Sequence, residues 1–140
     1  MYTIVMPVGT SRGLEAAEYV TALPDSDTDV EVVVVNVFEE FEVTGEGGVV
    51  RSEDLFDERD LPKSVEEVVD TLEDHGVDVT VRREHGDTVE EILGIVDEVD
   101  ANAIAMVGRQ RSPTGKALFG SVTQRLILDA DRPVTVVTDE

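Results

Sequence analysis

The stretch Val30-Glu-Val-Val-Val-Val-Asn-Val-Phe38 decides the fold, because it predicts a strand with almost no polar face. Its centre, Val32 to Val35, is a continuous run of β-branched residues instead of an alternation of apolar and polar ones. A run of this kind is typical of a strand that is buried on both faces, as in a parallel sheet covered by helices on either side.

Four further apolar runs predict the other strands of this sheet: Thr3 to Val8, Val77 to Arg83, Ala103 to Val107 and Val134 to Thr138. Apolar residues at helical spacing lie between the runs. These are Leu14, Ala17 and Val20; Val65, Val68, Val69 and Leu72; Val89, Ile92, Leu93, Val96 and Val99; and Leu118, Val122 and Leu126. Because strands and helices alternate, the sequence predicts an α/β fold with right-handed crossovers, formed by one domain over residues 1–140.

Local signals predict where several of these elements begin and end. Ser64 and Asp87 each stand three residues before a glutamate, which is the spacing of a helix-capping box. Gly76 predicts the end of the second helix, and Pro133 predicts the start of the last strand. The other hydroxyls near helix starts are also interpreted as caps. They are Ser11, Ser121 and Thr123.

The charge of the chain restricts its partners. The 140 residues include 32 Asp and Glu against 11 Lys and Arg, a net charge of -21. Such a surface repels duplex DNA, so no nucleic-acid partner is expected. Carboxylates spread over the whole chain, with lysine only at positions 63 and 116, favour an origin in a salt-loving archaeon over a basic partner or an acidic tail.

This acidity predicts a salt-dependent stability. At molar KCl the Debye length falls to ~3 Å, so repulsion among the carboxylates is screened. We therefore expect the melting temperature to rise between dilute buffer and molar KCl. Equal melting temperatures under the two conditions would contradict this interpretation.

Several classes of function find no support in the sequence. Cysteine is absent, which excludes disulfides and thiolate chemistry. No signal peptide and no apolar run near ~18 residues is visible, so a cytoplasmic location without a membrane partner is predicted. His75 and His85 lack partners at metal-ligand spacing, so no metal site is expected, and His75 is interpreted as a contact with a helix C-terminus. No hydrolase motif or triad appears, and the protein is predicted not to be an enzyme.

An acidic segment with three glycines, residues 39–60, is too long for an ordinary connection between elements. It is predicted to be a flexible, solvated loop, with a lid over a site as the alternative.

The clearest candidate for a binding site is Gly108-Arg-Gln-Arg-Ser-Pro-Thr-Gly-Lys-Ala-Leu-Phe-Gly-Ser121. This segment follows a predicted strand, leads into a helix, and holds three of the 11 cations, as an anionic ligand such as a phosphate chain requires. It is not a Walker A loop, because Ala117 follows Lys116. The alternative is a plain strand-to-helix connection. Ligands of open α/β sheets bind at the carboxyl ends of the strands, where Pro7-Val8-Gly9 and Val35 to Val37 would meet this segment.

Six short segments, in their order and spacing, carry a family resemblance. They are Ile4-Val-Met-Pro-Val8, Val34-Val-Asn-Val37, Gly86-Asp-Thr-Val-Glu-Glu-Ile92, Ala101-Asn-Ala-Ile-Ala-Met-Val-Gly108, Gly120-Ser-Val122 and Arg132-Pro-Val-Thr-Val-Val137. Together they resemble the universal stress protein (UspA-type) family over nearly the whole chain. The resemblance implies a single five-stranded parallel sheet in the order 3-2-1-4-5 with helices on both faces, Rossmann-like, and a homodimer paired through residues 133–138.

The resemblance also implies a site for ATP or another adenine nucleotide, with Mg²⁺. Members that bind ATP use a Gly, two residues, a Gly, nine residues, and then Gly with Ser or Thr. Here Gly108 matches the first position, and Gly120-Ser121-Val122 matches the last. Arg109, the residue after Gly108, is included in the implied site. Arg111 replaces the second glycine, and the spacer that follows has eight residues.

The adenine and ribose positions can be carried over in the same way. Pro7 and Val8 end the first strand, and Gly9 stands where the family often has an aspartate that meets the ribose or adenine. Val37 corresponds to the residue that lines the adenine pocket. The implied function is a small stress-response regulator that binds an adenine nucleotide. The alternative is a dimeric stress or interaction protein without a ligand, and a weak ATPase ranks below both.

Overall fold

The structure, a computed structural model, describes residues 1–9, 13–38, 62–109 and 120–139. The predicted loop at 39–60, the apolar position Leu118 and the hydroxyl of Ser11 lie outside these residues. The elements, in chain order, are β1 (Tyr2–Pro7), α1 (Leu14–Thr21), α2 (Ser26–Asp29), β2 (Val30–Phe38), α3 (Lys63–Asp74), β3 (Asp78–His85), α4 (Thr88–Glu98), β4 (Ala103–Arg109), α5 (Ser121–Asp129) and β5 (Val134–Asp139).

The five strands form one parallel sheet in the order β3-β2-β1-β4-β5, which confirms the predicted class and strand order. β2 lies between β1 and β3 and is paired with both along most of its length. Helices cover both faces of the sheet at this strand, which explains its continuous valine run. Within the described residues, no helix is long and apolar enough to cross a membrane.

Alternate residues of the strands face two separate cores. On one face of the sheet, Val32 and Val34 pack with buried residues of α1 and α3. On the other face, Val33 and Val35 pack with buried residues of α4 and the fully buried Leu126 of α5. The two cores are aliphatic, as the composition requires, and together they fix the sheet between two layers of helix.

The predicted boundaries of the helices have mixed outcomes. The capping box of α4 is confirmed, because the Asp87 side chain accepts a hydrogen bond from the Glu90 amide over 3.0 Å. Gly76 follows the end of α3 with a φ of +79°, a conformation that favours glycine. The capping role of Ser64 is wrong: α3 already begins at Lys63, and the hydroxyl of Ser64 donates elsewhere. Ser121 is likewise inside α5, whose N-cap is Gly120.

Gly13, the N-cap of α1, is required by close packing between α1 and α3. A Cβ at this position would lie 2.8 Å from Val68 Cγ2 and 2.9 Å from Val8 Cγ1, both on buried and conformationally stiff side chains. We expect Gly13→Ala to lower the free energy of unfolding by about 1–2 kcal/mol, because the surrounding core has no room to yield.

A second glycine provides the matched control for Gly13. Gly94 lies on the exposed side of α4, and a Cβ there would meet nothing within 4 Å. Gly94→Ala should raise the free energy of unfolding by about 0.8 kcal/mol, since alanine is the better helix former. Urea denaturation of both variants measures the two effects, and a stabilising Gly13→Ala would contradict the packing argument.

Candidate functional site at the carboxyl edge of the sheet

The sheet opens between β1 and β4 at the carboxyl ends of its strands. β1 is paired with β2 from Tyr2 to Pro7, but with β4 only through Ile4–Ala103 and Val5–Ile104. The chain runs from β1 to β2 on one side and returns to β4 on the other, so the strand order reverses at this junction. Crevices of this kind are the usual ligand sites of open α/β sheets.

Pro7 gives a physical reason for the opening. The amide of Val8 donates to the carbonyl of Val35 over 2.9 Å and therefore faces β2. Backbone groups of successive strand residues point to opposite sides, so Pro7 faces β4 and has no N–H to donate to it. The ladder between β1 and β4 accordingly ends before Pro7, although β4 itself continues to Arg109.

A cavity of about 430 Å³ lies in this opening. Its volume is within the range of small-molecule sites, about 300–1,000 Å³. Among the described residues that line it, Thr88 carries the one polar side chain and the rest are apolar or glycine. The lining residues are Pro7, Val8, Gly9, Val35, Val37, Thr88, Ile92, Met106 and Val122.

The structure brings together five of the residues that the sequence predicted for a nucleotide site. Pro7, Val8 and Gly9 form one wall, and Val37 and Val122 approach from β2 and α5. Val35 also lines the cavity, at the strand end that the sequence placed at this edge, whereas Thr88, Ile92 and Met106 were missed. Met106 had a usable signal, since it lies two residues before Gly108.

Three of the residues predicted to hold phosphate, Gly108, Gly120 and Ser121, are described and are not among the residues that line the cavity. Gly108 does not begin a loop, because it continues β4 and is paired with Thr138, while Arg109 ends the strand. Gly120 and Ser121 are exposed at the start of α5. Arg111 lies outside the described residues.

An ion pair joins the two helices next to the cavity. Arg125 Nη1 of α5 lies 3.5 Å from Oδ1 of Asp87, the N-cap of α4. The hydrogen bond from the Glu90 amide, and then the charge of Arg125, hold the pKa of Asp87 below its ordinary value of 3.8. The helix start that carries Thr88 and Ile92 is therefore anchored by an ionised carboxylate.

The lowered pKa of Asp87 predicts a pH dependence with a definite sign. Because the pKa is lower in the folded chain, this contribution to stability is present above the unfolded pKa and is lost as the pH falls through the folded one. Asp87→Asn keeps an acceptor for the cap but cannot titrate. The difference in melting temperature between the wild type and Asp87→Asn should shrink as the pH falls from 7 towards 2, and a constant difference would contradict the assignment.

A second cavity, of about 290 Å³, lies at the opposite edge of the sheet and is lined by the first residues of several strands, including Tyr2, Val30 and Ala103. Parallel α/β sheets bind ligands at the other edge, so this cavity is not the candidate site. Among the described residues, no group of three or more His, Cys, Asp or Glu is arranged to hold a metal ion.

Comparison with known proteins agrees with this architecture. The model of the universal stress protein family matches residues 1–138. A universal stress protein of Mycolicibacterium smegmatis is 42% identical over 74 residues, which are 52% of this chain and 57% of the relative. The matched segment thus spans little more than half of that relative.

Solved structures extend the likeness to the whole fold. The universal stress protein of Archaeoglobus fulgidus is 28% identical, with 97% of this chain and 98% of that one covered and a TM-score of 0.66. A structure of the universal stress protein from the same organism in complex with dAMP is 23% identical, covers 97% of both chains and has a TM-score of 0.61. Since the family match covers nearly the entire sequence and the strand order agrees, the chain belongs to the universal stress protein family.

Proposed function

We propose that the protein is a stress-response regulator that binds an adenine nucleotide in the carboxyl-edge cavity. The observation that carries this proposal is an apolar cavity at the reversal of strand order, next to the end of β4 from which the cation-rich segment departs. The base would lie beside the backbone of Val8 and pack against Val37 and Met106, which offer apolar surface. The phosphates would extend towards the segment between Gly108 and Ser121.

A related structure supports the ligand class. The universal stress protein of Archaeoglobus fulgidus has been solved in complex with dAMP, an adenine nucleotide without a 2′-hydroxyl. ATP with Mg²⁺ is the form that we propose for the cell, with Arg109 and Arg111 neutralising phosphate charge.

Gly9 bears on whether the site distinguishes ribose from deoxyribose. It is exposed at the wall of the cavity, and a Cβ there would meet nothing within 4 Å. Among the described lining residues there is no carboxylate to accept a hydrogen bond from ribose. We therefore expect AMP and dAMP to bind with dissociation constants within about threefold of each other, because the 2′-hydroxyl that dAMP lacks has no carboxylate partner here, so no charge-assisted hydrogen bond is lost.

Isothermal titration calorimetry in 2 M KCl tests the proposal, with AMP, dAMP and ATP plus Mg²⁺ as ligands and GMP as the control. Saturable heat with the adenine nucleotides is the expected result. No heat with any of them, together with no nucleotide released when the purified protein is denatured, would exclude the proposed function.

The second candidate is a dimeric interaction protein that works without a ligand. In the described sheet, β5 is an edge strand paired with β4, and residues 133–138 would pair with a second copy. Sedimentation equilibrium would show the dimer, and the calorimetry separates this candidate from the first. We propose that the protein is not an enzyme and that it is located in the cytoplasm. We further propose that its acidity reflects an origin in a salt-loving archaeon.

A further inference from the structure

Val8 and Gly9 form one wall of the cavity, and the hydrogen bonds that hold this wall come from the side of β2 and α3. It follows the end of β1, where pairing with β4 has already stopped. Three hydrogen bonds tie it to β2 and α3: Val8 N–H to the Val35 carbonyl over 2.9 Å, Asn36 Nδ2 to the Val8 carbonyl over 2.9 Å, and Ser64 Oγ to the Gly9 carbonyl over 2.5 Å. Two of the three depend on side chains.

Asn36 acts from the face of the sheet that is turned away from the cavity. It stands in β2 between Val35 and Val37, both of which line the cavity, and successive strand residues point to opposite faces. Its side chain is 4% exposed, and its amide is a buried polar group that needs a partner. The Val8 carbonyl supplies that partner, so Asn36 contacts the back of the wall and not the cavity.

Ser64 holds the next carbonyl from α3. Its side chain is 8% exposed, and its partner Gly9 is 55 residues away in sequence. Val65, Val68 and Leu72 of the same helix are fully buried against the sheet and α1, so α3 is a rigid support. A capping box that serves its own helix would leave the Gly9 carbonyl without this contact.

We propose that Asn36 and Ser64 are positioning residues, which fix the Val8–Gly9 backbone so that the cavity keeps the shape that an adenine nucleotide requires. This inference rests on the proposed function. Neither side chain lines the cavity, so their effect on a ligand passes through the backbone of Val8 and Gly9. Removing either hydrogen bond leaves every lining side chain in place and lets the wall move.

Ser64→Ala is the main test, and Ser26→Ala is its matched control. Ser26 is also a buried serine, 7% exposed, and its hydroxyl donates to a backbone carbonyl, that of Thr21, at the opposite edge of the sheet. Calorimetry with AMP should show about tenfold weaker binding for Ser64→Ala, the effect of one lost hydrogen bond, and unchanged binding for Ser26→Ala. Ser64→Thr keeps the hydroxyl and should bind within about threefold of wild type.

A second measurement needs no ligand. Amide hydrogen exchange of Val8, followed by NMR, should be about tenfold faster in Ser64→Ala than in wild type and unchanged in Ser26→Ala, because local opening of the wall exposes this amide. Asn36→Ala should show the same acceleration. Its control is Asn102→Ala, which removes a side-chain contact with the Thr3 amide at the far edge.

The outcomes separate this inference from the proposed function. Faster exchange together with weaker AMP binding supports the positioning role. Unchanged exchange overturns it, and so does faster exchange with unchanged AMP binding. If the wild type itself binds no adenine nucleotide, the proposed function fails, and the exchange rates alone decide whether Asn36 and Ser64 hold the wall.

Discussion

Leu72→Ala is expected to lower the free energy of unfolding by about 3 kcal/mol, the usual cost of truncating a buried leucine. Leu72 lies in the last turn of α3, is 0% exposed, and belongs to the core cluster between the sheet, α1 and α3. Truncation of this side chain leaves a cavity in that core, because the surrounding structure relaxes only partly. The cavity left behind therefore adds to the lost transfer free energy.

Leu128 offers the matched control on another helix. It lies in α5 and is 80% exposed, so Leu128→Ala should change the free energy of unfolding by no more than about 0.5 kcal/mol. Urea denaturation of both variants at one fixed KCl concentration gives the comparison. Equal effects for the two leucines would show that α3 does not pack as described.

The strands were predictable where burial alone determines their sequence. β2 is buried on both faces, so its run of valines indicated both the strand and the parallel sheet, and its predicted bounds, Val30 to Phe38, are those of the structure. β3 was less predictable. It was predicted over Val77 to Arg83, but the strand spans Asp78–His85, because Glu84 and His85 are also paired with β2 at the edge of the sheet, where polar side chains reach solvent.

Ser64 shows where local patterns mislead. The spacing of Ser64 and Glu67 is that of a capping box, and nothing nearby in the sequence distinguishes it from the true box at Asp87. What differs is a tertiary contact with Gly9, which exists only once β1 and α3 are packed together. The carboxylate of Asp87 has two oxygens: Oδ1 pairs with Arg125 while Oδ2 accepts from the Glu90 amide, so its local role persists in the fold.

Some residues of the candidate site were predictable from the sequence, and others were not. Pro7 to Gly9 and Val37 follow from the rule that strand ends meet at one edge of a parallel sheet. Ile92 and Met106 do not, because an apolar residue that lines a cavity has the same sequence signature as one that fills a core. Both are buried in the core between the sheet, α4 and α5, so only their place beside the opening assigns them to the site.

Val37→Phe is expected to weaken the binding of AMP by about a hundredfold, or about 2.7 kcal/mol. Val37 is half-buried at the end of β2 and its side chain lines the cavity, so a larger ring there would occupy the volume proposed for the base. Filling an existing cavity introduces little strain, and the free energy of unfolding should stay within about 1 kcal/mol of the wild type.

Val81→Phe is the control for this substitution. Val81 is also a half-buried strand valine, but it packs against the core between the sheet, α1 and α3 and does not line the cavity. Its replacement should leave AMP binding unchanged, whatever its cost in stability, because the sheet lies between it and the site. Calorimetric titration of both variants with AMP decides the matter. If Val37→Phe folds normally and binds AMP as tightly as the wild type, the base does not occupy this cavity, and the nucleotide must be sought outside the crevice between β1 and β4.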